Sequence, residues 1–237
     1  VNLGVAAAQD GRRDVAAQAF SEALRMQPEH PGALINLAAL RLEQALAAPT
    51  AEVHQQLLAE AEQLSEAVIE IGEQIQPQGR LNLATIYAAQ GKQRAARQLF
   101  EEMLRSEPEM AEVHEAYGHL LLVAGEAGAV DVLQRATELG GTSPQLWQDL
   151  GAAEAGRGRW KASADAFLMA VRLSPQDPAP LYNLAEIHFR RWQEAVAAQA
   201  GTAHSLQQEA VDAYRAVEAL QAGYRSVHER LRRLAAP

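Results

Sequence analysis

The chain has 237 residues, 48% of them hydrophobic and 5% aromatic, with a net charge of -9. The acidic balance excludes a general phosphate-binding surface, which needs clustered Lys and Arg, so no nucleic-acid partner is expected. The absence of cysteine excludes disulfides and thiolate chemistry, and no run approaches the roughly 18 apolar residues of a membrane span.

Apolar content comes mainly from Ala, Leu and Val, and the abundance of helix formers points to an all-α protein. The short basic run Glu229–Arg233 does not reverse the acidic balance. A first residue of Val1, with no signal-like segment, reads as a piece of something longer or a processed form. Heavy use of Ala, and of Arg over Lys, fits a GC-rich bacterial genome, and a soluble protein of cytoplasm or periplasm is expected.

From the N-terminus onward, a Leu or Tyr followed by a small residue keeps returning. The pairs are Leu3-Gly4, Leu37-Ala38, Leu83-Ala84, Tyr117-Gly118, Leu150-Gly151 and Leu184-Ala185, at intervals of 34, 46, 34, 33 and 34 residues. A second set follows: Ala16-Phe20-Ala23-Pro28, Ala96-Phe100-Met103-Pro108 and Ser163-Phe167-Ala170-Pro175. A degenerate copy, Ala129-Leu133-Ala136, ends in Gly141. Steps of four and three put the first three residues of each set on one helix face, and the Pro falls just past the helix end. Gly11, Gly91, Gly125 and Gly158 lie between the two sets, where a turn must join antiparallel helices. The small residue lets the paired helices approach closely, and the aromatic fills the gap against the next unit.

Two units are too long. The interval of 46 implies an insertion of about twelve residues over the common period. The first helix runs past Leu46 to Pro49, and Thr50 caps a second. Val53, Leu57, Ala61, Leu64, Val68, Ile71 and Ile75 then keep one apolar face. Split between two helices, the insertion predicts a hairpin about 9 Å taller than its neighbours. Glu60, Glu62, Glu66, Glu70 and Glu73 read as a solvated face.

In the last unit the first helix passes Phe189 and Trp192 to about Gln199. From Leu206, Ala210, Ala213, Val217, Leu220, Tyr224, Val227, Leu231 and Leu234 step by four and three, a heptad seam. The spacing predicts one nearly continuous helix over Leu206–Leu234, about 43 Å long, with Gly223 as a candidate kink. Such a helix caps the end of an array. Its far end, Val227, Leu231 and Leu234 beside Arg230, Arg232 and Arg233, would project as an assembly contact for an acidic partner or a second copy.

The segment Pro144–Gln176, with Trp147, Leu150, Gly151, Gly158, Phe167, Ala170 and Pro175 in register, resembles the tetratricopeptide repeat. The resemblance covers the whole chain as about six repeats, near residues 1–30, 31–76, 77–110, 111–143, 144–177 and 178–222, with 223–237 continuing as the capping helix. It implies an all-α, right-handed superhelical solenoid in one domain, with two elongated hairpins. There are departures. His114 stands where Trp147 has its counterpart, Glu154 replaces the usual Tyr, and the fourth unit is one residue short.

In this family the face carrying the Asn before each Leu-small pair lines a concave groove that binds a protein or peptide. The resemblance therefore makes Asn36, Asn82, Thr85, His119, Asp149, Asn183, Glu186 and Arg190 the candidate partner-binding groove. Its Asn amides could hold an extended backbone, or could instead hold neighbouring repeats together. One branch of the family clamps a carboxylate terminus with basic groove residues. Here only Arg190 is basic, so a free acidic C-terminus is not the expected ligand.

No catalytic constellation, metal set or cofactor motif emerges. In "HEAYGH" (His114–His119) the second His comes one residue late for a zinc motif, which turns the two rings about 140° apart. "AGRGRW" and "GEAG" lack the strand-turn-helix setting of phosphate loops. His188 is expected between helices and His119 on the groove, neither with a carboxylate partner. Trp147, Trp160 and Trp192 sit at packing spacing. The function implied is a non-catalytic interaction scaffold. The alternatives are the regulatory or substrate-recruiting part of a larger enzyme, such as a transferase, and a structural subunit of a bacterial assembly.

Overall fold

The computed structural model describes residues 1–72 and 77–235. Ile75 of the long apolar face, Glu73 of the acidic face and residues 236–237 lie outside them. The described residues hold thirteen α-helices. They are α1 (Asn2–Gln9), α2 (Arg13–Met26), α3 (Pro31–Leu46), α4 (Ala51–Ile71), α5 (Pro77–Ala89), α6 (Gln93–Ser106) and α7 (Ala111–Val123). Then follow α8 (Ala129–Glu138), α9 (Pro144–Gly156), α10 (Trp160–Leu173), α11 (Pro178–Ala197), α12 (Ala203–Leu220) and α13 (Val227–Ala235). They pair as six antiparallel hairpins followed by α13, with no strand among the described residues. The chain packs as two compact units, Val1–Ala116 and Tyr117–Pro237.

The helix ends follow the sequence signals. Pro31, Pro144 and Pro178 open α3, α9 and α11, where a missing N–H costs nothing. Ser143 Oγ accepts from the Leu146 N–H at 2.9 Å, Asp177 Oδ1 from Ala179 at 2.9 Å, and Thr50 Oγ1 from Val53 at 3.3 Å. Pro28, Pro108 and Pro175 each fall two residues beyond their helix. The turn glycines Gly11, Gly91, Gly125 and Gly158 have φ between +70° and +74°, a conformation that favours glycine.

Within a hairpin the small residue and the aromatic meet. A Cβ added at Gly4 would sit 2.5 Å from the Phe20 ring, and one at Gly151 2.9 Å from Phe167. Leu133 takes the aromatic's place against Gly118. Phe20 also packs with Leu37 and Leu40 of the following hairpin, so one ring fills both gaps.

The elongated hairpins are present, but the insertion is shared unequally. Helix α3 has 16 residues and α4 has 21, against 13 and 14 in the ordinary α5 and α6. The second helix therefore carries most of the extra height. Its buried face is Leu58, Ala61, Ser65 and Val68, turned from the expected one, and Val53 and Ile71 are exposed. The acidic face is also not simply solvated. Glu60 pairs with Arg41 at 3.0 Å, while Glu62 accepts from Lys92 at 2.7 Å and Gln90 at 2.8 Å.

The continuous C-terminal helix is not formed. Helix α12 stops at Leu220, and the chain turns through Gly223 (φ +74°) and Arg225 (φ +46°) before α13 begins at Val227. Helix α13 does not project. Val227 and Leu234 are 1% exposed, packed with Tyr182, Phe189 and Tyr214. The heptad seam misled because Tyr214, not Ala213, is the core residue of α12, and Leu220 is exposed.

Helix α13 takes the register of a first helix. Val227 is buried four residues before Leu231, as Leu146 is four before Leu150, and Leu234 is buried three after it, as Leu120 is three after Tyr117. At the small-residue position, however, α13 carries an exposed Arg232.

Candidate functional site

On each first helix, the residue before the Leu-small pair and the residue two beyond the Leu lie three apart, on one face. All the candidate groove residues but Arg190 occupy these two rows, and Arg190 lies one turn beyond Glu186.

In the first unit the candidates are largely turned inward on the protein. The half-buried Asn36 donates from Nδ2 to the Gly32 carbonyl of its own helix at 2.6 Å. Asn82, only 7% exposed, donates to the Ile35 carbonyl of α3 at 3.2 Å and so ties α5 to the preceding hairpin. Thr85 Oγ1 donates to the Leu81 carbonyl at 2.9 Å.

In the second unit, His119 and Asp149 meet. His119 Nδ1 lies 2.7 Å from Asp149 Oδ2, and Gln145 Nε2 donates to the other carboxylate oxygen at 2.8 Å. Asp149 is 5% exposed, whereas the imidazole is exposed. The expectation that His119 lacks a carboxylate is thereby corrected. The partner stands 30 residues away, close to one repeat period, where no local motif could reveal it.

His188 is half-buried and also has a carboxylate, with Nδ1 2.9 Å from Glu209 Oε2. Burial pushes its pKa below the ordinary 6.5; Glu209 partly offsets that shift and Arg191 adds to it.

Glu186 does not look outward. Arg230 of α13 donates to it through Nε at 2.8 Å and Nη2 at 2.9 Å, and the Tyr214 hydroxyl donates at 2.5 Å. Burial alone would raise the Glu186 pKa, but the bonds from Arg230 and Tyr214 prevail and hold it below 4.5. The Tyr214 hydroxyl is pushed upward, first by burial and then by its bond to Glu186. Glu186 stands in the row of His119, and Arg230 in the row of Asp149. The cross-repeat pair therefore recurs, with α13 acting as the next first helix.

Two candidates remain less engaged. Arg190 is exposed, its guanidinium 6.0 Å from the Trp160 ring centre. Among the described residues the half-buried Asn183 amide has no hydrogen-bond partner, since its counterpart in the other row is the exposed Ala152. Away from these rows, each elongated hairpin adjoins the turn of the hairpin before it. A cleft of about 640 Å³ lies at Gly11–Val15 and Glu43–Leu57, and one of about 780 Å³ at Arg159–Asp165 and Arg191–Leu206. No group of three or more His, Asp or Glu side chains among the described residues could hold a metal, and no described helix is long and apolar enough to cross a membrane.

The tetratricopeptide-repeat family model matches residues 1–74, 81–144 and 127–178. The chain belongs to the tetratricopeptide-repeat family. No curated protein matches it in sequence. Among solved structures, it is similar to the Cut9–Hcn1 hetero-tetramer of the APC/C, at a TM-score of 0.77 and 14% identity over 98% of this chain. It spans only 41% of that chain's length. A thermophilic TPR protein of Thermus thermophilus aligns at a TM-score of 0.64 and 22% identity, over 78% of this chain and 95% of its own. YrrB, described as a TPR protein with an unusual peptide-binding site, aligns at 0.58 and 18% identity, over 90% of this chain and 98% of its own. At these identities the likeness is one of fold.

The family comparison gives the departure at Glu154 a physical account. Its carboxylate is 2% exposed where the repeat usually holds Tyr, and it is satisfied by Gln134 at 3.0 Å and Arg159 at 3.4 Å. Two polar neighbours thus replace one aromatic ring.

Proposed function

We propose that this repeat array, a scaffold fold of the tetratricopeptide-repeat family, is non-catalytic in its own right and binds an extended peptide or protein segment along the first-helix face of its second unit. The unpartnered, half-buried amide of Asn183 carries this reading. An amide offers both a donor and an acceptor, so it can bond both sides of a backbone peptide group. Exposed Ala152 leaves room for the chain to approach it. His119, exposed and held by the buried Asp149, which Gln145 bonds in turn, lies on the same face. Arg190 supplies the one positive charge among the candidates. In the first unit, Asn82 acts as a tie between hairpins, and Asn36 and Thr85 serve their own helices.

Site-directed photo-crosslinking tests this reading. A crosslinker placed at Ala152 should capture the bound segment, and one at the exposed Arg172 of α10 should not. Asn183→Ala should then reduce the Ala152 adduct about five- to tenfold in a protein of unchanged thermal stability, as loss of one buried amide contact implies. An Ala152 adduct unaffected by Asn183→Ala would defeat the proposal.

A further inference from the structure

The hinge between α12 and α13 carries two features that pull against each other. In the sequence, the four-three apolar spacing runs unbroken from Ala210 through Tyr224 to Leu234, and no Pro interrupts Gln221–Ser226. That pattern specifies one helix. In the fold the hinge is a tight reversal, with the non-glycine Arg225 held in the left-handed region at φ +46°.

The seat of α13 is specific. Val227 and Leu234 fill an aromatic floor of Tyr182, Phe189 and Tyr214, and Arg230 makes a two-pronged bond to Glu186. Gln207 donates to the Leu234 carbonyl at 2.6 Å, and the Tyr182 and Ser226 hydroxyls lie 3.0 Å apart. All these contacts join α13 and its hinge to α11 and α12, and none depends on which copy of the chain supplies α13.

We propose that α13 exchanges between two copies of this chain. The hinge Gln221–Ser226 straightens, α12 and α13 merge into one helix, and each α13 occupies the seat on the other copy, where its Arg230 meets Glu186 of the partner subunit. Six residues turned into helix carry α13 about 9 Å along the α12 axis, out of reach of its own seat. The straightened helix relieves Arg225 and satisfies the unbroken seam. Short hinges under strain favour this kind of exchange, and the product is a closed two-fold dimer in which the contacts of α13 with its seat are remade on the other copy.

Two charge-reversed chains test the exchange. Glu186→Arg alone and Arg230→Glu alone each place like charges in their own seat. Mixed, they can restore two Arg–Glu pairs only by exchanging α13. The expected result is a one-to-one heterodimer by native mass spectrometry, absent from either variant alone, while the doubly reversed single chain, whose pair is intact in either arrangement, behaves as the parent does. Gly223→Ala, which disfavours the turn and favours helix, should raise the dimer fraction at fixed concentration at least tenfold by light scattering. If the charge variants fold and their mixture stays monomeric, the proposal is overturned. If they do not fold, Gly223→Ala decides alone: a chain that remains monomeric at all concentrations overturns it.

Discussion

Helices α5 and α13 stand in equivalent places. Each follows an elongated hairpin, and each uses the register of a first helix. They differ at the small-residue position. Helix α5 offers Ala84, fully buried, at its crossing with α6, whereas α13 offers the exposed Arg232. Arg232 keeps its guanidinium in water, where it pays no desolvation cost, whereas a charge at the Ala84 position would be buried at a cost of several kcal/mol. A single residue thus separates a small-residue position closed by a neighbouring helix from one that faces solvent.

The largest expected effect comes from placing an arginine at the closed crossing. Ala84→Arg should destabilise the first unit by about 4 kcal/mol or more, since it both overpacks a closed crossing and buries a charge. Arg232→Ala should change stability by no more than about 0.5 kcal/mol, as for other exposed positions. Urea unfolding followed by circular dichroism reads both. An Ala84→Arg chain within about 1 kcal/mol of the parent would show that the small residue does not govern the α5–α6 crossing.

The second effect concerns how the two helices are tied to what precedes them, by a neutral amide in α5 and by a charged pair in α13. Only the charged tie should respond to pH. The folded pKa of Glu186 lies below its ordinary value of 4.5. Its contribution is therefore complete above that value and is lost as pH falls through the folded pKa. Amide exchange in α13 should accelerate in acid below about pH 4.5, before exchange in α11 does. Glu186→Gln should cost about 2 kcal/mol at neutral pH and abolish this acid step. Equal protection of α13 at neutral pH and at about pH 3.5 would remove the charged tie from the account.

Much of this comparison could be read in advance from the sequence. The repeat period, the turn glycines, the stop prolines and both long hairpins follow from spacing, because spacing reports helix packing directly. Less of the candidate site was legible. Pairs such as His119–Asp149 and Glu186–Arg230 join residues 30 and 44 apart, on neighbouring helices. They become visible only once the repeat register is used to lay one first helix beside the next. The seams of α4 and α12 were misplaced. Helix α4 buries the hydroxyl residue Ser65, which an apolar count skips, and in α12 a strict four-three stepping takes Ala213 and passes over its neighbour Tyr214. Gly223 reads as a kink and not as a full break because the apolar spacing continues across it, and Arg225 carries no sequence mark of a left-handed turn.

A smaller effect separates two asparagines in equivalent positions. Asn82→Ala removes the inter-helix donor that supplements the helical bond at the Ile35 carbonyl and should cost about 1 kcal/mol of stability. Asn183→Ala loses no intramolecular bond among the described residues and should be neutral to within about 0.5 kcal/mol. Thermal unfolding of the two variants side by side distinguishes a structural tie from a group held in reserve for a ligand. Equal losses would mean that the two amides serve one role.

The smallest effect lies beneath the two helices, in α4 and α12, and it has the opposite sign. Tyr214, in the floor of α13, is fully buried with its hydroxyl donated to Glu186. Ser65 in α4 is equally buried, yet its hydroxyl has no hydrogen-bond partner among the described residues. A buried hydroxyl without a partner costs desolvation and returns nothing. Ser65→Ala removes that hydroxyl while keeping the small volume that close packing requires, and Ala is the better helix former. The variant should be more stable by about 0.5–1 kcal/mol, read as a higher urea midpoint at unchanged slope. A less stable Ser65→Ala chain would mean that the hydroxyl is bonded in solution, by a water held between α4 and its neighbours.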